Sequence, residues 1–94
     1  MLFLVIAHDG TDEGALARRL AVREKHLERS GKLKEIGTQL VGAAILDENE
    51  RMVGSAMVLE AENEDALRAL LAQDPYSAGD VWRRFQILPF LRTP

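Results

Sequence analysis

The alternation of apolar and polar segments along the chain predicts four strands, each bounded by turn or cap residues. These strands are expected at residues 2–7, 38–46, 52–60 and 82–88. The first is a continuous apolar run that stops before Asp9-Gly10, which is typical of a strand covered on both faces. The polar residues 47–50 predict a turn that returns the third strand antiparallel to the second. Pro89 after the last strand is typical of a sheet edge or a strand end.

A long helix is predicted between the first and second strands. We expect it to begin at a cap, Thr11 or Asp12, with acidic side chains in its first turn. It reaches about residue 36, and Gly31 is a position where it could bend. Its buried face is expected to carry residues that recur at helical spacing, namely Leu16, Leu20, Arg23 and Leu27.

A second helix is predicted between the third and fourth strands, with a cap at Asn63 and an end before Pro75, which lacks an N–H. Its inward side chains are expected to be Ala66, Leu67, Leu70 and Leu71, and residues 77–79 are expected to form a loop. The resulting order is βαββαβ. It predicts an α+β ferredoxin-like fold, in which one antiparallel four-stranded sheet carries both helices on one face, in a single domain of residues 1–94.

The strands are apolar on both faces, although one face of such a two-layer fold stays open. In the first three strands both alternating sets of positions are apolar, whereas the fourth carries Arg83 and Arg84. Two copies that stack their sheets and hide about 1,000 Å² would gain on the order of 25 kcal/mol. Association costs remove about half of that gain, so we expect a homodimer packed sheet to sheet. The alternative is a monomer with a weakly hydrophobic face, because many of its residues are small: Gly42, Ala43, Ala44, Gly54 and Ala56.

Composition and charge exclude several classes of function. A formal net charge of -3 argues against nucleic acid, whose phosphates require a basic surface. The absence of cysteine removes disulfides, thiolate nucleophiles and Cys-ligated metals, and it fits a reducing cytoplasm. The apolar N-terminal run is short and is followed at once by acidic residues, so we expect neither a signal peptide nor a membrane protein.

Several motifs resemble those of the YCII-like family, in the order of the family pattern. The run at residues 19–27, RLAVREKHL, is similar to its Arg-x-x-His-Leu signature, and Asp74-Pro75-Tyr76 is similar to a second element. Further matching positions are Asp9, Gly42, Gly54-Ser55 and Pro89-Phe90. The resemblance covers nearly the whole chain. One departure is Ala43, where the family usually has proline.

This resemblance implies a ferredoxin-like subunit that pairs into a dimeric α+β barrel. It also implies a His–Asp pair in a cleft, and a dehydrochlorinase that acts on a chlorinated hydroquinone is similar in sequence. Related dimeric barrels include muconolactone isomerases and small cofactor-free monooxygenases, so the fold by itself leaves the chemistry open.

His26 and Asp74 are the residues best suited to acid–base chemistry. Imidazole has an ordinary pKa of about 6.5, and a carboxylate on one ring nitrogen fixes its tautomer. Each residue also has a structural interpretation, since His26 could bind a backbone carbonyl or a glutamate and Asp74 could cap a turn before proline. A direct contact requires the two segments to lie side by side.

Four further residues are candidate ligand contacts: Arg23, Asp9, Ser55 and Tyr76. Arg23 lies in the predicted apolar face, where it needs an anionic partner such as a ligand oxygen, Asp74 or Asp9. Ser55 and Tyr76 offer hydroxyl groups, although Tyr76 could simply pack its ring. The two histidines lack the tight spacing of metal ligands, so we expect no metal and no organic cofactor.

The sequence therefore predicts a small-molecule enzyme of the lyase or isomerase type. His26 would move the proton, Asp74 would orient the imidazole, and Arg23 would hold an anionic or phenolic oxygen. Elimination or isomerisation of a small, polar, ring-derived compound suits such residues. The alternative is a non-catalytic dimer that binds a metabolite or serves in regulation.

Overall fold

A computed structural model describes residues 1–94 and contains one sheet and three helices. The strands are β1 (Leu2–Asp9), β2 (Gln39–Leu46), β3 (Met52–Glu60) and β4 (Trp82–Phe90). The helices are α1 (Ala15–Glu35), α2 (Glu64–Ala72) and a one-turn α3 (Pro75–Ala78). All strand pairs are antiparallel, in the order β2-β3-β1-β4. This is the predicted α+β ferredoxin-like arrangement. None of the helices combines the length and the apolar composition needed to cross a bilayer.

Alternation along the strands separates the two faces of the sheet. Phe3, Val5 and Ala7 of β1 are buried beneath the helices, opposite Leu59 and Met57 of β3. The core is completed by residues of α2, α3, the start of β4 and the position just before it, namely Leu67, Leu71, Tyr76, Trp82 and Val81. α1 adds only the partly buried Val22 to this cluster, so most of its sheet-facing side is free to carry polar groups.

The opposite face, here called the open sheet face, carries apolar side chains that no helix covers. Its members, taken from the strand register, are Leu2, Leu4, Ile6, Val41, Ala43, Ile45, Ala56, Val58 and Leu88. Val41 and Leu88 are about half exposed. At one end of the face, His8 Nε2 lies 3.0 Å from Gln86 Oε1. The chain thus presents an apolar surface that its own helices leave uncovered.

α1 begins after Gly14 and not at the predicted cap, Thr11 or Asp12. No side chain caps the helix and its first turn holds no acidic residue, so both expectations are wrong. The Asp12 carboxylate is held instead by Arg18, with Nη1–Oδ2 and Nη2–Oδ1 distances of 2.8 and 2.7 Å. The helix runs through Gly31 without interruption and ends close to the predicted residue.

The predicted inward face of α1 is also wrong. Leu20 and Leu27 are 54% and 48% exposed, and Arg23 between them is exposed as well. The side chains that point toward the sheet are offset from the leucines by one position: Arg19, Val22, His26 and Ser30. Polar side chains occur on this face because it encloses a cavity, described below, while α2 and α3 supply the helical part of the hydrophobic core.

The chain after α2 forms a helical turn where a loop was expected. Asn63 caps α2 as predicted and accepts the Ala66 N–H at 2.8 Å, although Ala66 itself is exposed. Asp74 caps α3, and Pro75 occupies the first helical position, where its missing N–H costs nothing. This turn packs against α1 and carries Asp74 and Tyr76 to it.

Candidate functional site

A cavity of about 210 Å³ lies between α1 and the edge strand β2. α1 lines it mainly with charged and polar side chains, whereas β2 contributes small residues such as Gly42 and Ala44. Because these β2 residues are small, open space remains between the edge strand and α1. The lining contains four of the six predicted site residues, namely Arg23, His26, Ser55 and Tyr76.

His26 and Asp74 are in direct contact. The imidazole Nδ1 lies 2.8 Å from Oδ1 and 3.0 Å from Oδ2 of the carboxylate, and both side chains are largely buried. The same carboxylate caps α3 by accepting the Tyr76 N–H at 2.8 Å. An ionised carboxylate accepts, so Nδ1 donates; in the neutral imidazole Nε2 is then the acceptor, and it has no partner in the protein.

Asp74 has a second side-chain partner, Arg29, which the sequence analysis missed. Arg29 Nη1 donates to Asp74 Oδ2 at 3.2 Å, and Nη2 donates to the Leu70 carbonyl at 2.8 Å. The carboxylate therefore receives hydrogen bonds from an imidazole, a guanidinium and a backbone N–H. Arg29 follows His26 by three residues, so a search for basic residues on the same side of the helix would have found it.

The Tyr76 ring lies flat against the imidazole of His26. The ring centroids are 3.9 Å apart and the planes differ by 17°. Arg19 places its guanidinium carbon 4.5 Å from the centroid of the same phenol ring. Arg19 and His26 are about two turns apart on one helix, so the phenol ring fits between their side chains. Trp82 meets the imidazole edge-on at 5.8 Å, and these contacts fix the plane of the imidazole.

The hydroxyl of Tyr76 is buried and has no hydrogen-bond partner in the protein. Burial raises the pKa of this phenol, with Arg19 and Arg23 acting in the opposite direction. The group therefore stays neutral across the physiological range and keeps its proton as a hydrogen-bond donor.

Asp9 does not line the cavity and serves as the counter-ion of Arg19. Arg19 Nη1 lies 3.0 and 3.1 Å from the two oxygens of Asp9, and the side chains are only 3% and 2% exposed. Burial raises the pKa of the Asp9 carboxyl, while the Arg19 charge opposes that shift. The sequence analysis missed Arg19 because it used the leucines to define the inward face of α1. Counting back seven residues from His26 would have placed it on the same face.

Ser55 connects this ion pair to the aromatic cluster. Its Oγ accepts from Arg19 Nη2 at 3.0 Å and from Trp82 Nε1 at 3.1 Å. These two bonds use both acceptor positions of the hydroxyl oxygen, so its proton remains available to donate. Ser55 lines the cavity, and a ligand could accept that proton.

Arg23 is exposed, lines the cavity and pairs with neither Asp9 nor Asp74. Of the three alternatives, the two ion pairs are excluded because Arg19 and Arg29 bind those carboxylates, and the ligand oxygen remains. The lining holds three cationic side chains, Arg19, Arg23 and Lys34, and no carboxylate. Arg19 is paired with Asp9, whereas Arg23 and Lys34 have no acidic partner. The local field therefore favours an anionic or electron-rich ligand, although the whole chain has a net charge of -3.

Elsewhere, a more open groove of about 840 Å³ lies beside the end of β1, lined by residues of both charges such as Asp12, Arg51 and Arg84. It includes neither His26 nor Asp74. No group of three or more histidine, aspartate or glutamate side chains is arranged to hold a metal ion.

Solved structures show the same architecture. A 5-chloro-2-hydroxyhydroquinone dehydrochlorinase from Burkholderia phenoliruptrix AC1100, in complex with 2,5-dihydroxybenzoquinone, matches with a TM-score of 0.83 and 24% identity, over 99% of this chain and 96% of that one. An antibiotic biosynthesis monooxygenase matches with a TM-score of 0.54 and 14% identity over the full length of both chains. A dimeric ferredoxin-like protein of unknown function from Jannaschia sp. CCS1 matches with a TM-score of 0.52 and 13% identity, over 93% of this chain and 94% of that one. At these identities the likeness shows the fold.

Sequence comparison gives the family. An uncharacterized protein of Haemophilus influenzae is 34% identical in an alignment that covers 96% of each chain. The family model of the YCII-related domain matches residues 1–91, nearly the whole length. The chain therefore belongs to the YCII-related family.

Proposed function

We propose that this protein is a small-molecule enzyme that performs acid–base chemistry on a small phenolic or anionic ring compound, without an organic cofactor. One observation carries the proposal. The His26–Asp74 contact of 2.8 Å lies at the wall of a cavity that is lined by three cations and no carboxylate. A paired imidazole beside a space that favours negative charge is an arrangement suited to proton abstraction.

In this proposal His26 Nε2 takes a proton from the ligand. Asp74 keeps Nδ1 protonated and stabilises the imidazolium that forms, as the carboxylate does in hydrolase triads. Arg29 positions the Asp74 carboxylate from the other side. Stacking on Tyr76 restrains rotation of the imidazole, so its free nitrogen is held in one direction before the ligand binds.

The ligand-binding roles fall to residues whose hydrogen-bonding capacity is unused. Arg23 attracts an anionic or phenolic oxygen, because no protein carboxylate neutralises it. The Ser55 and Tyr76 hydroxyls donate hydrogen bonds to ligand oxygens. Asp9 does not contact the ligand and is a positioning residue, which holds Arg19 in place.

The reaction that suits these groups is an elimination or an isomerisation. In an elimination the imidazole takes the proton, and a leaving group such as chloride departs with its bonding electrons. In an isomerisation the imidazolium returns the proton to a different atom of the ligand. The likeness to a dehydrochlorinase whose structure holds a dihydroxybenzoquinone supports the first of these for a ring compound.

We also propose that two copies of the chain associate through the open sheet face. The apolar side chains of this face have no cover within the chain, and such a large exposed apolar surface is unusual for a monomer. The match to a dimeric ferredoxin-like protein supports this arrangement.

The test of the proposed function uses 5-chloro-2-hydroxyhydroquinone and measures chloride release. We expect His26→Asn to lower kcat by about 10²–10⁴-fold, the usual contribution of a general base. Lys25→Ala, at the adjacent and exposed position of α1, is the matched control and should keep full activity. Equal turnover by His26→Asn and wild type would contradict the proposal, and binding without turnover in the wild type would favour the non-catalytic alternative.

A further inference from the structure

A buried polar pair in the cavity lining belongs to neither the His26–Asp74 contact nor the Arg19 network. Ser30 of α1 and Gln39 at the start of β2 are only 9% and 4% exposed, and both line the cavity. Gln39 Nε2 donates to Ser30 Oγ at 2.6 Å, which is the one side-chain hydrogen bond that either residue makes. The Ser30 hydroxyl proton and the Gln39 amide oxygen have no partner in the protein. Both residues line the cavity, so this unused donor and acceptor are available to a ligand group.

The pair lies on the same side of α1 as the proposed base and lines the same cavity. Ser30 follows His26 by four residues, and side chains at this spacing lie on one side of a helix with their Cβ atoms about 5–6 Å apart. A single six-membered ring between them can present one substituent to His26 and the opposite one to the pair. The cavity of about 210 Å³ is smaller than the roughly 300–1,000 Å³ of sites for drug-sized ligands, as a single-ring compound requires.

Gly42 makes this arrangement possible. A Cβ atom at position 42 would overlap the side-chain nitrogen of Gln39 and would lie 3.4 Å from Ser30 Oγ. Any larger residue would therefore displace the amide from the hydroxyl. Ser30 of α1 and both Gln39 and Gly42 of β2 are thus needed to hold the Gln39 amide against the Ser30 hydroxyl in the cavity. A chance surface contact would not depend on three positions.

We propose that Ser30 and Gln39 form a specificity subsite for an uncharged oxygen substituent of the ligand, on the side of the ring opposite the group that reacts at His26. This inference rests on the proposed function for the position of the reacting group. The subsite offers one hydroxyl donor and one amide acceptor without any charge. It therefore recognises a hydroxyl group, which accepts from Ser30 and donates to Gln39, and it assigns the ligand to the class of 1,4-dioxygenated rings.

The experiment compares binding of hydroquinone and phenol, which differ only in the second hydroxyl group. Trp82, the single tryptophan, lies against Tyr76 and His26 and gives an intrinsic fluorescence signal for titration. We expect the wild type to bind hydroquinone more tightly than phenol. Gln39→Leu should reduce that preference by about five- to tenfold, the worth of one neutral hydrogen bond, and leave phenol binding unchanged. Ser30→Ala, a substitution well tolerated in a helix, should act in the same direction.

Two results would overturn the subsite. One is an unchanged hydroquinone-to-phenol ratio in both variants when thermal unfolding shows that they are folded. The other is an equal loss of affinity for both compounds, which would indicate a general packing effect. Failure of the proposed function is a separate result. It would appear as full chloride release by His26→Asn, whatever hydroquinone-to-phenol affinity ratio is measured for Gln39→Leu. A wild-type protein that binds neither compound contradicts both proposals.

Discussion

Arg19 joins three elements through one guanidinium group. It pairs with Asp9 of β1, donates to Ser55 of β3 and lies over the ring of Tyr76 in α3. Its charge is buried, and the ion pair with Asp9 is the one contact that offsets the loss of hydration with an opposite charge. The guanidinium and the carboxylate therefore depend on each other, and the site depends on both.

We expect Arg19→Met to lower the free energy of unfolding by about 3–5 kcal/mol, because it leaves the buried carboxylate of Asp9 without a counter-ion. Urea unfolding measures this change. Arg18→Met is the matched control at the next position, since the ion pair of Arg18 with Asp12 is partly exposed to solvent and its loss should change less. The double variant Asp9→Asn, Arg19→Met should lose less than the two single losses added together. Equal losses for Arg18→Met and Arg19→Met would show that burial of the ion pair has no energetic consequence.

The raised pKa of Tyr76 predicts that the free energy of unfolding depends on pH in the alkaline range. Burial raises the pKa of its phenol, whereas in the unfolded chain the phenol ionises near its ordinary value of about 10. Above that pH the unfolded state releases a proton that the folded state still holds, so the free energy of unfolding falls as pH rises. Below it, the phenol is protonated in both states and contributes no pH dependence.

Tyr76→Phe removes this titration. The difference in unfolding free energy between wild type and variant should stay constant from about pH 7 to 9 and should then shift in favour of the variant above about pH 10. Urea unfolding across this range measures it. Curves that remain parallel to the highest pH would contradict the raised pKa, whatever the constant offset between the two proteins.

Among the elements, the strands were the easiest to predict and α1 was the hardest. Turn residues and apolar runs located all four strands, because backbone preferences act locally. The predicted inward face of α1 was wrong, because the prediction assumed that the leucines lie on the buried side. Leu20 and Leu27 are exposed because α1 packs over a polar cavity. The side of α1 that faces such a cavity carries polar side chains, and the leucines therefore lie on the outer side.

The site shows the same limit. His26 and Asp74 could be named from their motifs, and the fold brings them together. Helical spacing from His26 points to Arg29, but the roles of Arg29 and of the Ser30–Gln39 pair could not be assigned, because those roles arise from contacts between α1 and distant segments. Such contacts leave no local pattern in a sequence.

Two glycines in different elements should respond to alanine with opposite signs. Gly31 lies inside α1 and a Cβ there meets nothing within 4 Å, so Gly31→Ala should stabilise the fold by about 1 kcal/mol through helix propensity. Gly54 of β3 is different, because a Cβ there would lie 2.5 Å from the Ala7 carbonyl oxygen of the neighbouring strand. Gly54→Ala should therefore destabilise by about 1–3 kcal/mol. Thermal unfolding of the two variants checks the signs, and a destabilised Gly31→Ala would show that α1 needs a flexible position there.

At the scale of the whole molecule, the two faces of the sheet have separate tasks. One face and its helices form most of the cavity, to which the open sheet face contributes Ala43 but none of the polar groups of the site. Association through the open sheet face would therefore leave the cavity between α1 and β2 accessible. It would also add rigidity to β2, the edge strand that carries Gln39 and Gly42.

The proposed dimer is tested by placing a charge on the open sheet face. Val41 is half exposed and lies in this face opposite Val58, so Val41→Lys should leave the isolated chain folded while making association costly, because a lysine would be buried without a partner. We expect the wild type to sediment at twice the mass of the chain at micromolar concentration, and Val41→Lys to sediment as a single chain. Ile36→Lys, an equally large change at an exposed apolar position just after α1, should remain dimeric. A wild type that sediments as a single chain would rule out the dimer, and dissociation of both variants would place the contact elsewhere.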